Sequence, residues 1–269
     1  MDLGLQGKIA IVSGASRGLG RAIAEGLAAE GATVVMCART DAAVTAAAAA
    51  VNDSRATRAA GGQAVPVAAD VCRADDTDRL VGGALDRWGR VDILVTNAGG
   101  PPAGSVASLT EAQWDGAVQT LLMGVVRLCR GVIPSMQRQR WGRILHVTSF
   151  AVKQPQPNLG LSNAVRLAVV GLAKTQALEL APYNILVNSI CPGPIATDRL
   201  KELTQGYADR EHIPFDEAER RLWVSQIPLG RLGQPVEFAS LAVFLVSERA
   251  SFITGGTFQV DGGAVRGPF

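Results

Sequence analysis

Short apolar runs alternate with longer amphipathic stretches along most of the chain. The short runs, many of them rich in β-branched residues, predict buried strands, and the stretches between them predict helices. Alternation of this kind indicates parallel strands with helices on both faces of the sheet. The predicted strands are 8–12, 33–37, 63–68, 93–96, 143–147 and 186–189, and the predicted helices are 18–29, 41–60, 75–88, 111–139 and 160–181.

The size of the chain predicts one domain, residues 1–269. A chain of 269 residues that is 48% hydrophobic and 19% charged suits a single α/β core, and no linker or internal repeat divides it. Residues 199–226 are charged, lie between Pro–Gly elements and lack strand character. We expect them to form a helical flap over the carboxyl edge of the sheet.

Charge and cysteine content narrow the class of partner. The net charge is +2 without a basic block, which argues against nucleic acid. The four cysteines have neither metal-ligand nor redox spacing, so we expect no metal site and reduced thiols in a cytoplasmic protein. The N-terminal segment does not resemble a secretion signal, and apolar stretches such as 167–173 are too short to cross a bilayer.

A glycine-rich turn follows the first predicted strand and opens the first predicted helix. Gly14, Gly18 and Gly20 have the spacing GxxxGxG. Glycines allow a tight turn and a close approach of the backbone to a diphosphate, whose charge is favoured by the free N–H groups of the helix. The order strand, turn, helix is the context that this mechanism requires, so a nucleotide site is expected here.

Further motifs lie beyond the glycine turn. They include SGASRGLG at 13–20, Asp70–Val71, TNAGG at 96–100, GRILHVTS at 142–149, NILVNSICPGPIATD at 184–198 and FITGGTFQVDGG at 252–263. Together they resemble the short-chain dehydrogenase/reductase family, and its β-ketoacyl reductase-like branch, over about residues 5–263. The resemblance implies an α/β, three-layer, doubly wound Rossmann fold with a mostly parallel seven-stranded sheet. It also implies an NAD or NADP site and a homo-oligomer, a tetramer or a dimer.

The end of the second strand bears on the choice of dinucleotide. Ala38 stands where an acidic residue would bind the adenosine ribose, and Arg39 follows it. Arg17 supplies a second cation, and a guanidinium suits a forked contact with a 2′-phosphate. NADP is therefore predicted, and NAD stays possible. The residues expected at the nucleotide by motif and resemblance are Gly14, Ser16, Arg17, Gly18, Leu19, Gly20, Arg39, Asp70, Val71, Asn97, Ala98, Gly99, Arg166, Pro192, Gly193, Ile195 and Thr197.

The resemblance also locates four catalytic positions. The family uses a serine, a tyrosine, a lysine four residues after the tyrosine, and an asparagine that anchors a relay water. The flanking motifs place the serine at Ser149, but they place Ser162 at the tyrosine position, Arg166 at the lysine position and Leu121 at the asparagine position. The candidate catalytic residues of this chain are thus Ser149, Ser162 and Arg166.

These replacements leave the proton donor open. Arg166 can still hydrogen-bond a ribose and supply positive charge. Ser162 is a much weaker acid than a phenol, although its hydroxyl could orient a carbonyl. Tyr207 and His212, both in the flap, are weak candidates for the missing acid.

Three functions remain compatible with the sequence. The first is an NADP-dependent oxidoreductase that transfers a hydride between the nicotinamide and a small-molecule carbonyl or alcohol. The second is a non-redox enzyme of the same fold, such as a lyase or isomerase, and the third is a catalytically silent nucleotide-binding protein, since fold does not fix function. The flap mixes apolar residues with arginines, which favours an acyl, polyketide-like or acidic substrate.

Overall fold

Seven parallel strands form the central sheet of the computed structural model, which describes residues 2–267. Their order is β3-β2-β1-β4-β5-β6-β7, so the chain reverses direction across the sheet between β1 and β4. In doubly wound sheets a ligand crevice opens at this switch point, at the carboxyl ends of the strands. The strands are β1 (Ile9–Ser13), β2 (Thr33–Ala38), β3 (Gln63–Ala68), β4 (Ile93–Thr96), β5 (Gly142–Val147), β6 (Ile185–Pro192) and β7 (Thr257–Val260).

Helices cover both faces of the sheet. Side chains alternate between the faces along β1, where Ala10 and Val12 join one apolar cluster and Ile11 joins the other. The first cluster includes side chains of α1, α2 and α10, and the second includes side chains of α4, α6 and α7. The helices are α1 (Gly18–Ala29), α2 (Asp41–Asp53), α3 (Arg55–Ala60), α4 (Ala74–Trp88), α5 (Glu111–Val118), α6 (Gly124–Gln139), α7 (Gly160–Leu180), α8 (Asp198–Glu211), α9 (Phe215–Leu222) and α10 (Pro235–Leu245).

The expected doubly wound α/β architecture is confirmed, with three differences in detail. Every strand pair is parallel, so the sheet is wholly rather than mostly parallel. The stretch 41–60 is two helices, because Ser54 has an extended backbone and its hydroxyl accepts from the Thr57 N–H to cap α3. The seventh strand, β7, pairs with β6 and lies within the FITGGTFQVDGG segment.

One helical run is more apolar than expected. Residues Glu111–Gln139 run through α5, a π-helical turn at Gln119–Met123 and α6. Within residues 2–267 this run alone is long and apolar enough by length and composition to cross a membrane, and 39% of its most apolar window is buried. The expectation that all apolar stretches are too short does not hold for it. A core helix satisfies the same criterion, and Leu128 and Val132 of α6 do lie in the apolar core.

Candidate active site

The glycine turn is shaped by close packing against the end of β4. Gly14 and Gly18 have φ values of +59° and +58°, which favour glycine. A Cβ at Gly20 would overlap the Gly14 carbonyl oxygen and lie 2.7 Å from the Asn97 amide nitrogen. That amide donates to the Gly14 carbonyl at 3.1 Å, and the Ser13 hydroxyl donates to the Asn97 carbonyl at 2.8 Å. Asn97 therefore holds the turn in place at the switch point.

The N-terminus of α1 is free to receive an anion. Arg17 is the N-cap residue, its side chain does not cap the helix, and the first turn contains no acidic residue. The unpaired N–H groups and the helix dipole together favour negative charge at such an end. The expected residues Ser16, Gly18 and Leu19 lie on this turn. The cradle thus fits a diphosphate.

The two arginines expected to hold a 2′-phosphate have different surroundings. Arg39 directly follows β2, is exposed and forms no ion pair with residues 2–267. The Arg17 guanidinium instead lies 3.5 Å from the Glu202 carboxylate and 3.9 Å from that of Asp198, both on α8. Arg17 thus links the glycine turn to the flap, which the sequence did not indicate.

Asp70 and Val71 are held in the loop at the end of β3. The Asp70 carboxylate accepts from the Cys72 N–H at 3.0 Å, and the Asp70 N–H donates to Asp76 at 2.8 Å. Val71 packs against Gly124, where a Cβ would lie 3.1 Å from a Val71 methyl group. The loop is therefore fixed by its own hydrogen bonds and by α6.

The loop after β6 is braced at several points before it enters the flap. The Gly193 N–H donates to the Val260 carbonyl at 2.9 Å, and a Cβ at Gly193 would lie 2.5 Å from Asp261. Ile195 is buried and forms an isolated β-bridge with Gly233. Thr197 caps α8 by accepting from the Leu200 N–H at 3.4 Å. These contacts fix the expected cofactor residues Pro192, Gly193, Ile195 and Thr197 beside the crevice.

Arg166 is a buried cation bound to backbone carbonyls. It is 8% exposed, and its two Nη atoms donate to Val147 O at 3.0 Å and Ala98 O at 3.3 Å. The pKa of this guanidinium is lowered to about 10, mainly by burial; Cys191 partly opposes the shift, and the charge of Arg199 adds to it. A guanidinium has five N–H donors, so these two bonds leave three for a ligand.

The two candidate serines lie on neighbouring elements. Ser149 follows β5, and its hydroxyl oxygen accepts from the Ala151 N–H at 3.1 Å, which leaves its own O–H to donate. Ser162 is 8% exposed on the first turn of α7, one helical turn before Arg166, so both side chains lie on one face. The structure thus brings Ser162 and Arg166 together at the carboxyl edge of the sheet.

Leu121 replaces a polar anchor with apolar packing. It lies in the π-helical turn and packs in a small cluster with Ala117, Leu161 and Val165. Leu161 immediately precedes Ser162.

A cavity of about 20 Å³ lies beside Leu121 and Arg166, which is room for about one water molecule. Its polar lining comes from the side chains of Ser13, Thr96, Asn97, Thr120, Thr148 and Arg166.

The other acid–base candidates are less well placed. His212 is exposed at the C-cap of α8, and the Arg210 guanidinium stacks 5.4 Å from the ring centre of Tyr207. His146 is fully buried between Thr96 at 2.8 Å and Gln176 at 3.1 Å, and burial lowers its pKa to about 4. Both ring nitrogens of His146 are thus engaged, and His212 lies at the opposite end of α8 from Thr197.

Two basic residues near the site, Arg199 and Lys153, are not among the candidates that the sequence analysis named. Arg199 donates to Pro101 O at 2.9 Å, which joins the first turn of α8 to the loop after β4. Lys153 is half-buried at the end of the turn Phe150–Val152 that follows Ser149. Their proximity in sequence to Thr197 and Ser149 was the available signal.

Comparison with known proteins finds similar reductases and a matching family model. The family model described as enoyl-(acyl carrier protein) reductase matches residues 14–265. Dehydrogenase/reductase SDR family member 4 of Oryctolagus cuniculus is 38% identical over 97% of this chain and 94% of its own length. A 3-oxoacyl-[acyl-carrier-protein] reductase of Synechocystis is 37% identical over 97% of this chain and 98% of its own length. The crystal structure of L-sorbose reductase from Gluconobacter frateurii with NADPH and L-sorbose superposes with a TM-score of 0.92 at 32% identity, covering 99% of this chain and 100% of that chain.

The fold and the crevice define an α/β protein of the doubly wound class with a nucleotide-type cradle. This chain belongs to the short-chain dehydrogenase/reductase family. Its relatives in this family include a 3-oxoacyl-[acyl-carrier-protein] reductase.

Proposed function

We propose that this protein is an NADPH-dependent reductase of a small carbonyl compound, with Ser162 and Arg166 in place of the usual tyrosine and lysine. The observation that supports it most is the open N-terminus of α1 at the switch point of the sheet, together with an exposed Arg39 at the end of the neighbouring strand β2. Arg39 has no ion pair within residues 2–267. A similar structure is described with NADPH. NAD is the alternative nucleotide.

The nucleotide would lie along the carboxyl edge from β2 to β6. The diphosphate would be held by the free N–H groups at the start of α1, and the 2′-phosphate by Arg39, since guanidinium–phosphate pairs are strong and directional. Arg166 would hold the nicotinamide ribose with its remaining donors. The full set is Gly14, Ser16, Arg17, Gly18, Leu19, Gly20, Arg39, Asp70, Val71, Asn97, Ala98, Gly99, Arg166, Pro192, Gly193, Ile195 and Thr197.

The nicotinamide supplies the hydride when bound, and the chain must then stabilise and protonate the substrate oxygen. The hydroxyls of Ser149 and Ser162 would donate hydrogen bonds to that oxygen. Arg166 would stabilise the developing negative charge, an effect that is strong in a buried site. An aliphatic hydroxyl is too weak an acid to stay deprotonated at neutral pH, so Ser162 would act as a relay. It would give its proton to the substrate oxygen and take one from solvent water, so that the net proton comes from bulk solvent.

Loss of three of the four usual catalytic residues favours a second candidate. With Ser162, Arg166 and Leu121, the site retains its nucleotide cradle but has no group that titrates near neutral pH at the reacting position. A protein that only binds the nucleotide would need no such group, and a non-redox enzyme would not need one at the site of hydride transfer. This alternative predicts tight NADPH binding without consumption of NADPH.

We also propose that the chain acts as one domain, 1–269, with residues 199–226 as a lid, and that it works in the cytoplasm as a dimer or tetramer. The apolar run Glu111–Gln139, of which 39% of the most apolar window is buried, supports contact with a second copy. Leu167 and Leu178 on α7 are also exposed, at 52% and 73%.

The direct test is a binding titration followed by a turnover assay. NADPH and NADH are titrated into the protein by fluorescence, and NADPH absorbance is then followed with a panel of ketones. The proposal expects tighter binding of NADPH than of NADH and consumption of NADPH with at least one ketone. Binding without consumption across the panel would favour the second candidate, and absence of binding would refute both.

A further inference from the structure

The segments that carry three basic residues meet where the substrate of the proposed reaction would lie. Arg166 reaches the ends of β4 and β5 through Ala98 O and Val147 O. Arg199 reaches the loop after β4 through Pro101 O. Lys153 follows the turn that begins at Ser149, after β5. Because β4, β5 and β6 are neighbouring parallel strands, their carboxyl ends bring these segments to one place.

The charged side chains that act on Arg166 and Cys191, at the ends of these strands, are mainly positive. The pKa of the Cys191 thiol is raised by burial, and the nearby charges that oppose this rise are those of Lys153 and Arg166. The pKa of Arg166 is lowered by burial and by the charge of Arg199. No carboxylate among residues 2–267 contributes to either shift. A cleft whose charges are mainly of one sign raises the local concentration of ligands of the opposite sign, so the site favours an anionic ligand.

The acidic residues closest in sequence to these cations are engaged elsewhere. Asp198 and Glu202 lie near Arg17, and Glu202 is also 3.6 Å from Arg199 at the protein surface. The Asp261 carboxylate accepts from the backbone N–H groups of Gly263 and Val265, at 3.0 and 2.9 Å. Glu202 thus offsets Arg199 in part, and Lys153 has no ion pair within the described chain.

The other arginines of the flap are Arg210, Arg220 and Arg221. Arg210 stacks on Tyr207 and lies 3.5 Å from Glu211, Arg221 pairs with Glu217 on α9, and Arg220 is exposed on the same helix. Among these four arginines, Arg199 alone donates to a loop at the sheet edge. The positive character therefore comes from one flap residue and from the segments after β5, rather than from the composition of the flap.

We propose that the substrate is an oxo acid, whose carboxylate is bound by Lys153 and Arg199 while its carbonyl lies near Ser149 and Ser162. This inference rests on the proposed function, because it takes the carbonyl position from the proposed reaction. Lys153 and Arg199 are then specificity-determining residues that contact the substrate away from the reacting carbon. Both can rotate toward a ligand, since one is unpaired and the other is partly solvent-exposed.

The test compares matched acids and amides on the complex with NADP⁺, which binds ligand without turnover. Acetoacetate, levulinate and 5-oxohexanoate are each titrated against the corresponding amide by calorimetry. We expect at least one acid to bind about tenfold more tightly than its amide, a difference of about 1.4 kcal/mol, because hydrogen bonds to charged groups are stronger than those to neutral groups. The three acids place one, two or three methylene groups between carbonyl and carboxylate, so together they cover a range of distances between the two groups.

Variants assign the preference to the two residues. In the double variant Lys153→Gln, Arg199→Gln, acid and amide should bind equally. If Arg199→Lys replaces Arg199→Gln in this double variant, part of the preference for the acid should return. Lys201→Gln is the matched control, because Lys201 is an exposed lysine on the same helix. The inference is overturned if every amide binds as tightly as its acid, if no acid binds, or if the double variant keeps the preference. Failure of NADP⁺ itself to bind would instead refute the proposed function.

Discussion

Arg39 is the residue on which the choice of dinucleotide depends. We expect Arg39→Asp to weaken NADPH binding at least about tenfold, because it removes a guanidinium from the 2′-phosphate and places a carboxylate there. NADH affinity should stay unchanged or increase. Arg55→Asp is the control, since Arg55 is an exposed arginine on α3. Fluorescence titration measures the affinities of wild type and both variants for NADPH and for NADH. An unchanged NADPH affinity in Arg39→Asp would contradict the assignment.

Ser162, Arg166 and Leu121 test whether only the proton-transfer residues differ from those of the family. The triple variant Ser162→Tyr, Arg166→Lys, Leu121→Asn restores a phenol beside a cation and a polar side chain in the π-helical turn. We expect the rate of reduction of ordinary ketones to rise by about 10²-fold or more, the usual contribution of general acid catalysis. The measurement is NADPH consumption in variant and wild type. If the variant folds and binds NADPH but shows no gain, the pocket serves another chemistry.

At the scale of elements, the contact between the glycine turn and α8 couples the cofactor site to the flap. Arg17 lies near Asp198 and Glu202, so a 2′-phosphate would compete with these carboxylates for the same guanidinium. We expect Asp198→Asn with Glu202→Gln to tighten NADPH binding by up to about fivefold, the range of exposed ion pairs. NADH affinity should not change. An equal effect on both nucleotides would show that Arg17 does not respond to the 2′-phosphate.

The helices and strands also show how much of the fold the sequence alone predicts. Strands such as β3 and β4 were predicted with correct bounds, because apolar runs between turn residues mark buried strands well. Ser54 was missed as a break since alanine-rich flanks favour a continuous helix, and its role depends on the cap to Thr57. The Arg17 ion pairs and the Lys153–Arg199 convergence join segments distant in sequence, so only the tertiary structure could bring them together.

At the scale of the whole molecule, the buried His146 makes stability depend on pH. Its pKa is about 4 in the folded protein and 6.5 ordinarily, so folding requires the neutral ring. Its contribution is fully present above pH 6.5 and is lost as the pH falls toward 4, because the unfolded chain then binds the proton. By pH 5 the loss should be about 2 kcal/mol.

Urea unfolding of wild type and His146→Asn between pH 7 and pH 5 measures this dependence. An amide can bond both Thr96 and Gln176, so the variant keeps polar partners. The wild type should lose more stability than the variant over this interval. Parallel curves for the two proteins would show that His146 does not titrate in this way.

The central claim is that a dinucleotide rests against the start of α1, at the switch point of the sheet. A crystal structure of the protein with NADPH tests it most directly. We expect the diphosphate on the backbone N–H groups of the Gly14–Gly20 turn, the 2′-phosphate at Arg39 and the nicotinamide ribose at Arg166. NADPH bound elsewhere, or a turn closed by side chains in the presence of saturating NADPH, would contradict it.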